Sequence, residues 1–417
     1  MNTTEKLILT EDQKVALTAF QQFLLDPVET VFVLQGFSGC GKTTLVTHLI
    51  DELPKFTKTM KLVMPSFRDY QVALTATTNK AAENLKKISG EPAQTIHSFL
   101  GLRVQTDYKT GTTSLIVQNR DRIEGYLLFI DESSYIDRDL LEHIFAKTNK
   151  CKIVFIGDPA QLTPVKSTGT PVFAANFSGA MLKEVVRQAH GNPIVDLSTK
   201  FRNTVNTGEF FKFKPDGNHV QHLNNADFMK AIEKEFTRPD WRYADSKILG
   251  WTNKCVIDFN NHIKTLGTGN PAFMAGDYAV CNSYIQMGRR SIKTDQLVEI
   301  DEILEPMELH GAKGRYFILD GVLKLFMPDS LTERNSAIKK ARANNNLKVV
   351  AEIEEEWVDL RAAYACTINK AQGSTFDSVY IDLNDVSRCN SGDQIARMLY
   401  VAVSRARNNV YLTGDLA

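Results

Sequence analysis

The chain has 417 residues, and its 49 basic and 49 acidic side chains give a formal net charge of zero. A hydrophobic share of 43% and a charged share of 24% suit a soluble globular protein of roughly two to four domains; bulk charge announces no nucleic-acid partner and leaves only a local basic channel open. Cys40, Cys151, Cys255, Cys281, Cys366 and Cys389 are scattered with no C-x-x-C spacing, the start is polar, and no stretch is long and apolar enough to span a membrane, so disulfide, zinc and membrane classes are set aside and a reducing cytoplasm is expected.

A helix-period segment covers 12–25, and an apolar run at 31–34 follows it. Next comes Gly36-Phe37-Ser38-Gly39-Cys40-Gly41-Lys42-Thr43, leading into a helix-compatible segment from Thr44. Strand, glycine loop and helix in that order predict a phosphate-binding loop. Glycines let backbone N–H groups turn toward phosphate oxygens, and the helix N-terminus behind them favours an anion. Lys42 has the reach for β- and γ-phosphates, and the Thr43 hydroxyl suits Mg²⁺.

Apolar runs recur at 72–74, 126–130 and 152–156, with helix-period segments such as 80–88 between them. This alternation predicts an α/β fold, a parallel sheet covered by helices, over 1–180. Residues 101–122 interrupt it as a β-hairpin insertion around the turn Tyr108-Lys109-Thr110-Gly111. The run Leu128-Phe129-Ile130 ends in Asp131 and Glu132. Behind a phosphate loop, such a pair supplies one carboxylate for Mg²⁺ (Asp131) and one for the attacking water (Glu132). Another apolar strand leads to Gly157-Asp158-Pro159-Ala160-Gln161. The Gln161 amide both donates and accepts, which suits a γ-phosphate sensor, while a plain turn with an exposed glutamine is the competing reading.

A second α/β block is expected over 181–273 and 359–417, split by an alternating region at 274–358 that reads as a small β-barrel. Within the insertion a basic helical stretch at 330–346 and an acidic run at 352–356 read as solvated surface. Phe326 and Trp357 are either barrel core or stacking faces for bases. Taken singly, Arg187 and Arg405 read as surface residues. No Asn-Lys pair continues as Asn-Lys-x-Asp, so a guanine reader is absent.

Taken together, these segments resemble a superfamily 1 helicase of the 5′-to-3′ branch, RecD/Dda-like, over nearly the whole chain. The resemblance implies two RecA-like domains, with the barrel SH3-like, and ATP with Mg²⁺ as cofactors. It implies Gln13 as an adenine contact, and Gly36, Ser38, Gly39, Cys40, Gly41, Lys42, Thr43, Thr44 and Gly373 around the nucleotide. The segments around Arg187 and Arg405 share in the resemblance, which makes these two arginines candidates to complete a phosphate cage. Thr78, Asn79, His97, Thr367, Asn369 and Ser374 match segments that contact the strand. The hairpin matches a fork wedge, with Phe99 and Tyr108 as candidate wedge aromatics. Many relatives carry proline at the Thr77 and Thr163 positions, glycine or histidine at Asn79, and histidine at Asn369. The implied activity is ATP-driven 5′-to-3′ translocation on single-stranded DNA with duplex separation; an RNA helicase and a motor subunit of a larger complex are the alternatives. Implied partners are single-stranded and forked DNA, with a single-strand-binding or replisome protein as a further candidate, and the implied setting is a monomer in a bacterial or phage-infected cell.

Overall fold

The computed structural model describes residues 8–106, 113–117, 121–163, 169–186, 191–287 and 290–416. The chain divides into two compact units. One comprises Met1–Val104, Leu115–Lys212 and Leu399–Ser404; the other comprises Gln105–Ser114, Phe213–Met398 and Arg405–Ala417.

Six parallel strands form the sheet of the first unit, in the order Ser178–Leu182, Val31–Gly36, Lys152–Gly157, Tyr126–Asp131, Gln71–Ala76 and Ala93–Thr95. Side chains alternate between its faces, as the two-residue period of a strand requires. Phe32, Leu34, Leu127, Phe129, Val154 and Ile156 enter one core, while Val31, Val33, Leu128, Ile130, Ile153 and Phe155 enter the other. Both faces are covered, which is why these strands read as unbroken apolar runs. The helix Glu11–Leu25 starts with a capping box between Thr10 and Gln13. Its other end is held by the buried Lys152, whose ammonium donates to the carbonyls of Phe23, Asp26 and Glu29, each at 2.7 Å.

The first compact unit runs past the expected limit of 180, on to Lys212, and includes the helix Pro193–Thr207. Met181 and Leu182 belong to an edge strand of the first sheet, paired with Gln35 and Gly36. The strand begins Ser178-Gly179, too polar to announce itself. Gly179 is needed because a Cβ there would sit 2.1 Å from the Val33 carbonyl oxygen. Strands Leu102–Thr106 and Thr113–Val117 pair as the expected hairpin. Tyr108 lies outside the described residues.

In the second unit five parallel strands stand in the order Val220–Leu223, Ala406–Thr413, Phe376–Asp382, Ser246–Gly250 and Ala365–Thr367. An antiparallel sheet is inserted between the last two, using strands from Tyr278–Cys281 to Leu360–Arg361, slightly past the expected limit of 358. Val358 N–H donates to the Phe326 carbonyl at 2.9 Å, which draws the strand Leu323–Pro328 toward the sheet's other end. Phe326 and Trp357 are both 2% exposed and tilted against each other with centroids 4.6 Å apart, so they are core and not stacking faces for bases. The two charge runs form the helices Leu331–Ala343 and Leu347–Glu356 and meet through Arg342 and Glu354, with N and O atoms 3.0 Å apart. The six cysteines are free thiols. No helix among the described residues is long and apolar enough to cross a membrane.

Candidate active site

The glycine loop 36–43 is built by close approach. Gly36 leaves no room for a Cβ, which would meet Cys40 Sγ at 2.6 Å and the Leu182 carbonyl oxygen at 3.1 Å. Gly39 and Gly41 take φ of 83° and 77°, the left-handed region that costs glycine nothing. Gly41 offers no side-chain cap to the helix Lys42–Val63, and an uncapped helix N-terminus of this kind favours an anion. Lys42 Nζ donates to the carbonyls of Gly36 (2.8 Å) and Phe37 (3.0 Å), across the loop. Cys40 is 1% exposed, and burial pushes its thiol pKa up.

Gln13 is buried, donates from Nε2 to the Cys40 carbonyl (3.2 Å) and accepts the Thr10 N–H at Oε1 (3.1 Å). The residue matched to an adenine contact therefore also ties its helix to the loop. Each end of its amide retains a further hydrogen-bonding position beyond these two bonds.

Asp131 closes the buried strand Tyr126–Asp131. Burial, then the charge of Glu132, pushes its pKa up to about 7. Its Oδ1 accepts the Glu132 N–H at 2.8 Å. Glu132 holds φ 53° and ψ 42°, a left-handed conformation that costs a non-glycine residue about 1–2 kcal/mol. The surroundings fix it there. Thr77 N–H donates to the Asp131 carbonyl (3.2 Å), and the Thr77 hydroxyl donates to the Glu132 carbonyl (3.1 Å). A proline at this position would lack both donors, so the departure at Thr77 has a structural use. Behind the acids, the Ser133 hydroxyl donates to Ile130 O (2.7 Å) and accepts the Ile156 N–H (3.2 Å). This joins the acid turn to the strand that leads to Gln161.

Gln161 is buried, not the exposed turn residue of the competing reading, and its N–H donates to the Asp158 carbonyl at 3.1 Å. The Asp158 carboxylate, fully buried, accepts the Ala160 N–H (3.0 Å) and the Tyr400 hydroxyl. Tyr400 in turn accepts the Ser38 N–H at 2.9 Å. Burial, then the Asp158 carboxylate, raises the Tyr400 phenol well above its ordinary value, so it stays a donor. Arg202 lies 3.4 Å from the Phe37 ring centroid, with Nε 3.9 Å from Asp158. Asp158, Tyr400 and Arg202 carry no expected role from sequence alone. In an apolar helix Tyr400 looks like core, and only its burial beside a carboxylate reveals more.

The structure thus brings together the loop, Thr43, Thr44, Gln13, Asp131, Glu132 and Gln161 in the first unit. Arg187 lies outside the described residues. Arg405 belongs to the second unit, where it is buried and donates from Nη1 to the Ser374 carbonyl at 3.2 Å. Ser374 is itself buried, so it stands with this arginine and not on an open strand-binding face. Gly373 takes φ 76° beside it. Thr367 caps the turn Ile368–Ala371, which carries the half-buried Asn369.

Among the other strand-contact candidates, Thr78 caps the helix Asn79–Ser89 through the Ala81 N–H at 3.2 Å. His97 is half-buried, and burial lowers its pKa. Phe99 ends the turn Ile96–Phe99 ahead of the hairpin and packs edge-on against Tyr126, centroids 5.4 Å apart, with the core. It is therefore not a free wedge aromatic.

A family model described as AAA domain matches residues 9–225, more than half of the chain, and one described as UvrD-like helicase C-terminal domain matches 362–413. The ATP-dependent DNA helicase dda of Enterobacteria phage T4 is 25% identical over 97% of this chain and 98% of its own length. The RecBCD enzyme subunit RecD of Buchnera aphidicola is 23% identical over 97% of this chain and 73% of its own. A solved Pif1 helicase from Bacteroides, in complex with ADP-AlF3 and ssDNA, superposes with a TM-score of 0.45 at 17% identity, covering 99% of this chain and 94% of that one.

Proposed function

Because the chain belongs to the AAA-domain family and, with its UvrD-like C-terminal segment, to the superfamily 1 helicases of RecD and phage Dda type, we propose that it hydrolyses ATP to move 5′ to 3′ along single-stranded DNA and separate duplex ahead of it. One observation carries the chemistry: the left-handed turn at Glu132, held by Thr77, sets two acids of different environment at one strand end of the sheet that also carries the phosphate loop.

In this reading the loop N–H groups and Lys42 bind the β- and γ-phosphates, with Lys42 exchanging the Gly36 and Phe37 carbonyls for phosphate oxygens. The Thr43 hydroxyl and the Asp131 carboxylate are hard oxygen donors of the kind Mg²⁺ takes, so the residues fit that ion. When bound, Mg²⁺ offsets charge on the phosphate oxygens. Glu132 orients and deprotonates the attacking water, and Gln161 reads the γ-phosphate. Arg187 and Arg405 stabilise charge on the transferred group. Gln13 contacts adenine, and Thr78, Asn79, His97, Thr367 and Asn369 grip the strand.

The test uses forked duplexes with a 5′ or a 3′ single-stranded tail, in DNA and in RNA, with Lys42→Ala as the blank. ATP-dependent opening of the 5′-tailed DNA fork alone is the expected result. Opening from the 3′ tail overturns the direction, preference for RNA overturns the substrate, and ATP turnover indifferent to single strands overturns the motor.

A further inference from the structure

Tyr400 stands 2% exposed near the end of the helix Gly392–Val403, in a six-residue stretch, Leu399–Ser404, that packs with the first unit. A phenol has one proton to give and lone pairs to receive. Here the proton goes to the Asp158 carboxylate, and the oxygen receives the Ser38 N–H at 2.9 Å. The two partners belong to different parts of the site. Ser38 is in the phosphate loop. Asp158 opens the turn whose carbonyl receives the Gln161 N–H at 3.1 Å. A second side chain spans the same gap, since the Arg202 guanidinium lies over Phe37 at 3.4 Å with its Nε 3.9 Å from Asp158. Two neighbouring loop residues are therefore held against one buried carboxylate, Phe37 through a ring face and Ser38 through its backbone.

We infer that the Tyr400 hydroxyl is a positioning group for the nucleotide site, setting the register between the phosphate loop and the Gln161 turn. The inference rests on the ATPase reading above and concerns the same site. Tyr400 touches neither phosphate nor water in this assignment; it acts through Ser38 and Asp158. Its effect therefore falls on one step. Lys42, Thr43 and the helix N-terminus still bind the nucleotide when the hydroxyl is removed, so ground-state affinity is kept. What is lost is the alignment of Gln161 with the loop, which matters only as the γ-phosphoryl group is transferred.

The test is steady-state ATP hydrolysis by the full chain, with and without a single-stranded oligonucleotide, for wild type, Tyr400→Phe, Asp158→Asn and the double variant, each with a thermal melt. Tyr400→Phe keeps the ring and deletes the hydroxyl. The expected result is a roughly tenfold fall in kcat, with the KM for ATP changed by less than about twofold. The double variant should lose no more than the worse single, because both act through one linkage. A hydroxyl that only fills space would lower the melting temperature and leave kcat within about twofold, which overturns the inference, as would independent, multiplying losses. Should Tyr400→Phe fail to fold, Asp158→Asn must still show the kcat-selective loss. Wild type that turns over no ATP overturns both this and the parent reading. Wild type that hydrolyses ATP without strand stimulation overturns the motor alone, and the variants are then judged on basal kcat.

Discussion

Replacing Lys152 with methionine tests how the first helix is fastened to the sheet. The lysine is 4% exposed, and its ammonium meets the carbonyls of Phe23, Asp26 and Glu29 at 2.7 Å each. It also lies 4.3 Å from the Phe23 ring centroid. Methionine keeps the stem and its packing but deletes three charge-assisted bonds to the helix C-terminus and the turn that follows it. Such bonds are worth about 1.5–3 kcal/mol each, and unmet carbonyls add to the loss. Against this, the variant no longer buries an ammonium, whose desolvation costs several kcal/mol. The difference is a net destabilisation of about 2–5 kcal/mol. For a unit of this size that is a fall of about 5–15 °C in melting temperature. Urea unfolding followed by tryptophan-independent circular dichroism measures the change. A variant within about 0.5 kcal/mol of wild type would refute the reasoning, because water would then be replacing the lysine without loss.

Three further substitutions have definite outcomes at other contacts. Glu132→Gln keeps the size and the left-handed backbone but removes the proposed base, so ATP turnover should fall about 10²–10⁴-fold with nucleotide affinity retained; a fluorescent-nucleotide titration beside a turnover assay separates the two. Gly179→Ala puts a carbon 2.1 Å from the Val33 carbonyl oxygen, so the edge strand must part from its neighbour at a cost of about 2–4 kcal/mol; equal melting curves would contradict this. For Asp12, burial raises the pKa, but the N–H groups of Glu184 and Lys183 and the Thr10 hydroxyl outweigh it and hold the carboxyl below its ordinary value. A lowered acid contributes stability above its unfolded pKa near about 3.9, and loses it as pH falls through the folded value. The melting-temperature gap between wild type and Asp12→Asn should therefore be full at neutral pH and close below about pH 4. A gap that persists into acid would show that the hydrogen bonds do not depend on the charge.

The first sheet was legible because buried parallel strands must be apolar on both faces, and Val31, Phe32, Val33 and Leu34 say so openly. The loop and the acid pair were legible because each needs a fixed residue type at a fixed place after such a strand. Ser178–Leu182 was hidden because an edge strand tolerates serine and requires Gly179 for close approach, a need that depends on where Val33 lies. The contact of Phe99 with Tyr126 was not legible, because an aromatic near a hairpin looks available and the ring that meets it lies beyond the hairpin in the chain. Arg202 and Tyr400 were missed for the converse reason. Their value comes from sharing Asp158, a residue remote from both in the chain. Composition and period carry no record of such a meeting.

Cys40 gives this molecule a built-in clock. Its thiol sits inside the phosphate loop, 1% exposed and with its pKa raised by burial, whereas Cys255, Cys366 and Cys389 are only partly covered. An alkylating reagent reacts with thiolate that it can reach, so Cys40 is modified only in the moments when the loop opens. With reagent in excess, so that alkylation outpaces reclosing, the rate at which its peptide gains mass counts those openings; with less reagent it reports the open fraction, in either case without a dye or an engineered label. Adding nucleotide or an oligonucleotide during the reaction would then report how each ligand changes the opening of the loop, independently of whether the bound ATP is ever hydrolysed.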